Sequence, residues 1–188
     1  MFKLLRPCAG VFLFLNYLQL NKAEMSQKDA LIAELKNEAG NTRKILVKVP
    51  QEKFAWKPHE KSMTIGRLAA HIAEIPVWVN RTLEAEEFDF ASIPFVRNTY
   101  EDSVTLLQVF EEKQAAALSA LQNASDEILG QQFVVRRGEQ IAFQMPRKVM
   151  IRSFAFNHLV HHRGQLSVYL RLLDIPVPGM YGPSADER

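Results

Sequence analysis

The chain has a single cysteine, Cys8, among 188 residues. One thiol cannot close an internal disulfide or build a multi-cysteine zinc site, so any bound metal must rely on histidine, carboxylate or both. An excess of charge of either sign is also missing. The 23 Lys and Arg residues stand against 21 Asp and Glu, for a net charge of +2, which leaves no broad field for drawing in a polyanion. Nucleic acid is therefore not an expected partner. Local pairs such as Arg136–Arg137 and Arg147–Lys148 read as solvated loop and helix-end charges. No uninterrupted apolar run is long enough to span a bilayer, and no membrane association is expected. There is no internal repeat and no low-complexity tract.

The first 24 residues stand apart from the rest. "MFKLLRPCAGVFLFLNYLQL" has a basic start and an apolar middle, the outline of a secretory signal, but Asn16 and Gln19 interrupt it and no small-x-small cleavage site follows. A start codon assigned too far upstream explains the segment equally well, because "MSQKDALIAEL" opens an ordinary amphipathic helix at Met25. Residues 1–24 are read as a leader, residues 25–188 as one metal-binding domain, and the protein as cytoplasmic. With 47% hydrophobic residues, a chain of this length can bury one sizeable core.

From Ser26 the pattern is helical, with Ser26 as N-cap, Asp29 three residues on, and Leu31, Leu35, Ile45 and Leu46 at apolar positions. Gly40 weakens its middle. After the connector "VPQEKFAWKPHEKS" a second helix is expected from Ser62 or Thr64 to Glu87, kinked at Pro76. "FDFASIPFVRN" reads as a loop. Thr99 and Asp102 form a cap pair for a third helix, which carries Val104, Leu107, Phe110, Leu118 and Leu121 on its apolar face and ends near Ser125. "QQFVVRRGEQIAF" alternates weakly about Arg137-Gly138, which predicts a short hairpin or extended excursion rather than a true sheet. The fourth helix runs from Arg147 to Leu173 and stops at Ile175-Pro176. The tail "PVPGMYGPSADER" is too rich in proline and glycine to be helical. These elements predict an all-α four-helix bundle, with the short hairpin between helices 3 and 4.

Three of the five histidines lie within "NHLVHHRGQL", residues Asn157 to Leu166. At about 100° per residue, Ile151, Phe154, His162, Tyr169 and Leu172 fall within about 40° of His158, so His158 and His162 are expected to point into the core. His161 falls to one side of both and does not complete a site with them. By the same arithmetic Arg163 lies at about 140° and is expected to face outward, towards solvent or a partner subunit. Residues at i and i+4 can direct two imidazoles at one ion. A third ligand is expected from the second helix, where Leu68, Ile75 and Trp78 place His71 on an apolar stripe. A lone buried histidine is most often a hydrogen-bonded core residue. Three together are harder to explain that way, because their desolvation is offset only if they bind something.

Two familiar metal patterns do not fit. A zinc-protease helix needs Glu directly after the first histidine, where Leu159 stands. Ferritin-like di-iron bundles need Glu three residues before a ligating histidine, where Ala155, Leu159 and Leu68 stand. A mononuclear three-histidine site with an open position remains. Glu74 and Gln165, each three residues after a histidine, could orient water, but both are ordinary helix-surface types and neither is assigned a role. His59 reads as an exposed loop residue. Trp56, Trp78, Tyr169 and Tyr181 are candidates either for lining a pocket or for core packing.

"SMTIGRLAAHIAEIPVW", followed after a long gap by "NHLVHHRGQLSVYLRLLDIPVPGMYGPSAD", resembles the DinB-like (YfiT-like) family of metalloenzymes over nearly everything from Ser26 onward. The resemblance implies a four-helix bundle whose metal is held by one histidine on the second helix and an H-x-x-x-H pair on the last, which correspond to His71, His158 and His162. It also implies zinc or nickel as the ion, a homodimer, and a reaction with a low-molecular-weight thiol such as bacillithiol or mycothiol, because characterised relatives include thiol-dependent S-transferases and isomerases. Three functions follow as expectations: a metal-dependent thiol S-transferase acting on a small molecule, a metal-dependent hydrolase, or a metal-binding protein without catalysis. Cys8, in the leader, is not expected to be a nucleophile.

Overall fold

The computed structural model describes residues 25–92, 98–100 and 102–187. The leader at 1–24 lies outside the described residues, as does part of the proline-containing loop. Helix α1 spans Gln27–Leu46 and is capped by the Ser26 side chain, which accepts from the Asp29 backbone N–H. Its buried face includes Leu31, Leu35, Ile45 and Leu46, as the periodicity predicts, and it runs unbroken through Gly40. The second helical run is shorter than expected and divides into α2 (Ile65–Glu74) and α3 (Val77–Glu84). Pro76 lacks the N–H that would continue the ladder, and the break falls there. Helix α4 (Ser103–Asn123) is capped by Asp102 alone, whose side chain accepts from the Thr105 backbone N–H. Leu106, Phe110, Ala117 and Leu121 form its buried apolar face, whereas Val104, expected inside, is exposed.

The long helical segments α1, α2–α3, α4 and the C-terminal run pack around one core. The all-α expectation is corrected by a three-stranded sheet in the order β1-β2-β3. After the short α5 (Asp126–Gly130), strands β2 (Gln132–Arg137) and β3 (Gln140–Pro146) pair antiparallel. Gly138 closes the two-residue turn with a φ of 59°, a conformation that favours glycine. The surprise is β1 (Glu87–Asp89), which pairs parallel to β2 where the end of the second helix and the start of a loop were expected. Three residues are too few to show alternation. The sheet has its own small core of Phe88, Phe133, Val135 and Met150, with Trp78 and Phe154 packed against it. Arg147, expected in solvent, is buried there. It donates to the Thr82 and Ala85 carbonyls at the end of α3 and stacks over Phe133.

The C-terminal run divides into α6 (Arg147–Ile151), a π-helical turn (Arg152–Asn157) and α7 (His158–Leu172). The wider turn resets the helical phase just before His158, so Ile151 and Phe154 do not report which way that histidine faces. Within α7 the core-facing stripe is Leu159, Arg163, Leu166 and Leu170, while Leu172 is exposed. No helix among the described residues is long and apolar enough to cross a membrane.

Candidate metal centre

His71 is placed by the start of α2. Thr64 caps that helix by accepting from the Arg67 backbone N–H, and the connector is tied across its first turn by Ile65 N–H to Trp56 O and Gly66 N–H to Phe54 O. A Cβ on Gly66 would stand 2.9 Å from the Phe54 Cβ, so only glycine permits this approach. Leu68, Ala69, Ile72 and Ala73 then lock α2 into the core and leave His71 at its edge.

His158 and His162 come from α7, one helical turn apart. Both are half-buried at the side of the core stripe rather than at the core centre, and of the two His158 lines a cavity. Arg163, expected to face outward at about 140° from His158, instead occupies the inward position on α7. Each of the two imidazoles is held through Nδ1. His162 Nδ1 lies 2.7 Å from Gln165 Oε1, and His158 Nδ1 lies 3.3 Å from the Phe154 carbonyl. The His158 backbone N–H bonds Ala155 O within the π turn, so the Phe154 carbonyl can also receive the ring. With Nδ1 donating in both, the Nε2 lone pairs are left to bind.

The three rings form a nearly equilateral triangle, with centroid separations of 4.9, 4.6 and 4.6 Å. One nitrogen from each of His71, His158 and His162 lies within 4.8 Å of the others, and the Nε2 atoms of His71 and His158 are 3.2 Å apart. Two tetrahedral ligands at about 2.05 Å from a shared ion would stand about 3.3 Å apart, so this donor set suits a divalent ion. The electrostatics agree. Burial, followed by the neighbouring histidines and Arg67, pushes His71 down to about 3, and burial also lowers His158 and His162. All three are neutral at neutral pH, the form that binds metal. His161 is exposed, beside His162 but outside the triangle.

His71 and His158 open onto a cavity of about 600 Å³, lined also by Arg67, Glu74, Trp78, Arg81, Phe88, Phe154 and Lys113. Glu74 Oε1 accepts from Asn98 and from the Tyr100 hydroxyl at 3.0 Å, and Oε2 faces Arg67 at 3.8 Å. Burial and the bond to Glu74 push the Tyr100 phenol up to about 12, so it remains a donor. Of the aromatics left open by sequence, Trp78 lines the cavity, Trp56 and Tyr169 meet edge-on, and Tyr181 bonds Glu38 and Arg163. His59 is exposed and accepts from the Lys61 N–H. Sequence reading missed Arg67 and Arg81, which line the same cavity as His71.

The DinB family model matches residues 25–188. This chain belongs to the DinB family. A DinB-like protein from Bacillus cereus superposes with a TM-score of 0.60 at 26% identity, covering 78% of this chain and 92% of that one. YfiT from Bacillus subtilis, described as a probable metal-dependent hydrolase with an unusual four-helix bundle topology, gives 0.55 at 13% identity over 78% and 87% of the two chains. A mycothiol-dependent maleylpyruvate isomerase gives 0.51 at 14% identity, covering 76% of this chain and 58% of that chain. The last two share the fold of this DinB protein at identities too low to carry more.

Proposed function

We propose that this DinB protein is a metal-dependent S-transferase that joins a low-molecular-weight thiol to a small organic substrate, with His71, His158 and His162 as the ligands of a zinc or nickel ion. When bound, the ion would act as a Lewis acid that lowers the pKa of a coordinated thiol or water. Gln165 and the Phe154 carbonyl hold two of the rings through Nδ1, and the aromatic wall of the cavity gives the substrate an apolar surface.

The observation that carries the choice of thiol is the state of Glu74. Among the described residues it is the only carboxylate lining the cavity, and its oxygens are engaged by Asn98, Tyr100 and Arg67. Such a carboxylate is poorly placed to take a proton from water. A thiol needs less help, because its pKa begins near 8.5 whereas that of bulk water is about 15.7. Likeness in fold to a mycothiol-dependent enzyme is consistent with this reading. Likeness to YfiT supports the second reading, hydrolysis by bound water.

Metal analysis of the purified protein should give one equivalent per chain, and His158→Ala should remove it. Titrating cobalt-substituted protein with biological thiols should then produce a near-ultraviolet sulfur-to-cobalt absorption band. A cobalt spectrum indifferent to every thiol tested, together with turnover of simple esters or amides, would replace the transferase with the hydrolase.

A further inference from the structure

Arg67, His71, Glu74, Trp78 and Arg81 follow one another at intervals of four, three, four and three residues, and all five line the same cavity. That spacing keeps them on one helical face across the break at Pro76. From His71 to Arg81 is about 15 Å of helical rise, so the stripe carries Arg81 well away from the histidine triangle. Its charges are uneven. Arg67 has Glu74 opposite it. Arg81 has no carboxylate within ion-pair distance among the described residues, and Glu74 acts on it only at longer range. Its guanidinium instead lies 5.1 Å from the ring centroid of Trp78 and 5.2 Å from that of Phe88. Lys113, also lining the cavity, likewise makes no ion pair with a described residue.

A guanidinium remains charged when partly desolvated, and burial here lowers its pKa only against a very high ordinary value. Its planar fork matches a carboxylate with two parallel hydrogen bonds, while the aromatic faces steady it from the side. Cation–π contact alone is worth about 0.5–2 kcal/mol and leaves the N–H donors to water. A bound oxyanion would use those donors as well. Trp78, Phe88 and Phe154, with Phe90 beside them, offer flat apolar surface between this cation and the histidines.

We infer that the cavity takes a substrate bearing a carboxylate on a flat apolar body, with the carboxylate on Arg81, the body against Trp78, Phe88 and Phe154, and the opposite end directed at His71 and His158. The direction of the reactive end rests on the metal-enzyme reading above, but recognition of the anion does not.

Calorimetric titration of the full chain, stripped of metal with a chelator, separates the two. 2-Naphthoate should bind at least about tenfold more tightly than neutral 2-naphthalenemethanol, the scale expected of one charge-assisted pair. Arg81→Met should abolish that preference and leave the neutral compound unchanged, Arg81→Lys should retain part of it, and Lys113→Met should change it less than about threefold. Equal binding of the two compounds by the unaltered protein overturns the inference, and does so even if Arg81→Met fails to fold. Tighter binding of 2-naphthyl phosphate than of 2-naphthoate overturns the carboxylate assignment. So does an Arg81 dependence seen with mercaptosuccinate but not with naphthoate, which would give the cation to a thiol cosubstrate. Because no metal is present, none of these results depends on whether the histidines bind one.

Discussion

Helix α7 carries two polar clusters, one residue apart in sequence and opposite in treatment. His162 and His158 are half-buried and each held through Nδ1, and His158 Nε2 meets His71 Nε2 at 3.2 Å within the triangle. Arg163 is 0% exposed, and its terminal nitrogens are fully occupied: one donates to the Glu38 carbonyl and Thr42 Oγ1, each at 3.0 Å, and the other to the Glu38 carboxylate and the Tyr181 hydroxyl. Occupied at both terminal nitrogens, although its Nε is buried without a partner among the described residues, Arg163 is a group that fixes the structure. Unused binding capacity at the edge of a cavity marks a group that acts on something else. Tyr181, whose side chain is otherwise largely exposed, ties the C-terminal tail to the saturated cluster through its hydroxyl, which also donates to Glu38 at 2.8 Å.

Breaking the saturated cluster should have the largest effect on stability. Arg163→Met leaves the Glu38 carboxylate buried without its cation and is expected to lower unfolding free energy by about 3–5 kcal/mol in chemical denaturation. Adding Glu38→Met should recover most of that loss, because an apolar pair of similar volume is often as stable as the ion pair it replaces. The metal equivalent of the folded double variant should stay that of the unaltered protein. A double variant no more stable than the single one, or one that loses metal, would mean that the two clusters are not separable.

This same contrast shows what the sequence made legible and what it hid. That His71, His158 and His162 come together is legible from spacing, because i and i+4 on one helix and an apolar stripe on another are local facts. The caps at Ser26 and Asp102 were equally local. Two kinds of feature were not. Helical arithmetic counted from His158 turns Arg163 outward, yet it is buried against Glu38, 125 residues away; no local pattern supplies that partner. The π turn at Arg152–Asn157 shifted the phase on which the inward direction of His158 was judged. Strand β1 escaped for a related reason: Phe88 becomes part of a sheet only through its pairing with β2, far along the chain.

The histidine cluster is sharpened by the residue that orients it. Gln165→Ala should leave the stability of metal-free protein within about 0.5 kcal/mol, since Gln165 is only partly buried and its amide serves His162. Metal affinity, measured by competition with a chelating indicator, should fall about 10- to 100-fold, the usual effect of losing an outer partner to a ligating histidine. Gln165→Glu should restore or exceed the original affinity, because a carboxylate at this position makes the ring more basic. An unchanged affinity in Gln165→Ala would show that the His162 ring is held by packing alone.

The smallest expected effect is a pH dependence of the metal-free protein. His71 titrates near 3 in the fold, against about 6.5 when unfolded, and burial is the main cause. Between those values the unfolded chain binds more protons than the folded one, so stability rises with pH. The contribution is complete above about 6.5 and is lost progressively as pH falls towards 3. His71 is only partly buried, so solvent screening should hold the slope below about 1 kcal/mol per pH unit. Denaturation midpoints of chelator-treated protein at pH 7 and pH 5 should therefore differ more for the unaltered chain than for His71→Asn. The Arg163–Glu38 cluster supplies no such difference between these two proteins, because it is common to both. Equal slopes would mean that the His71 ring is as accessible to protons in the fold as in the open chain, and the histidine triangle would then be a solvated surface feature.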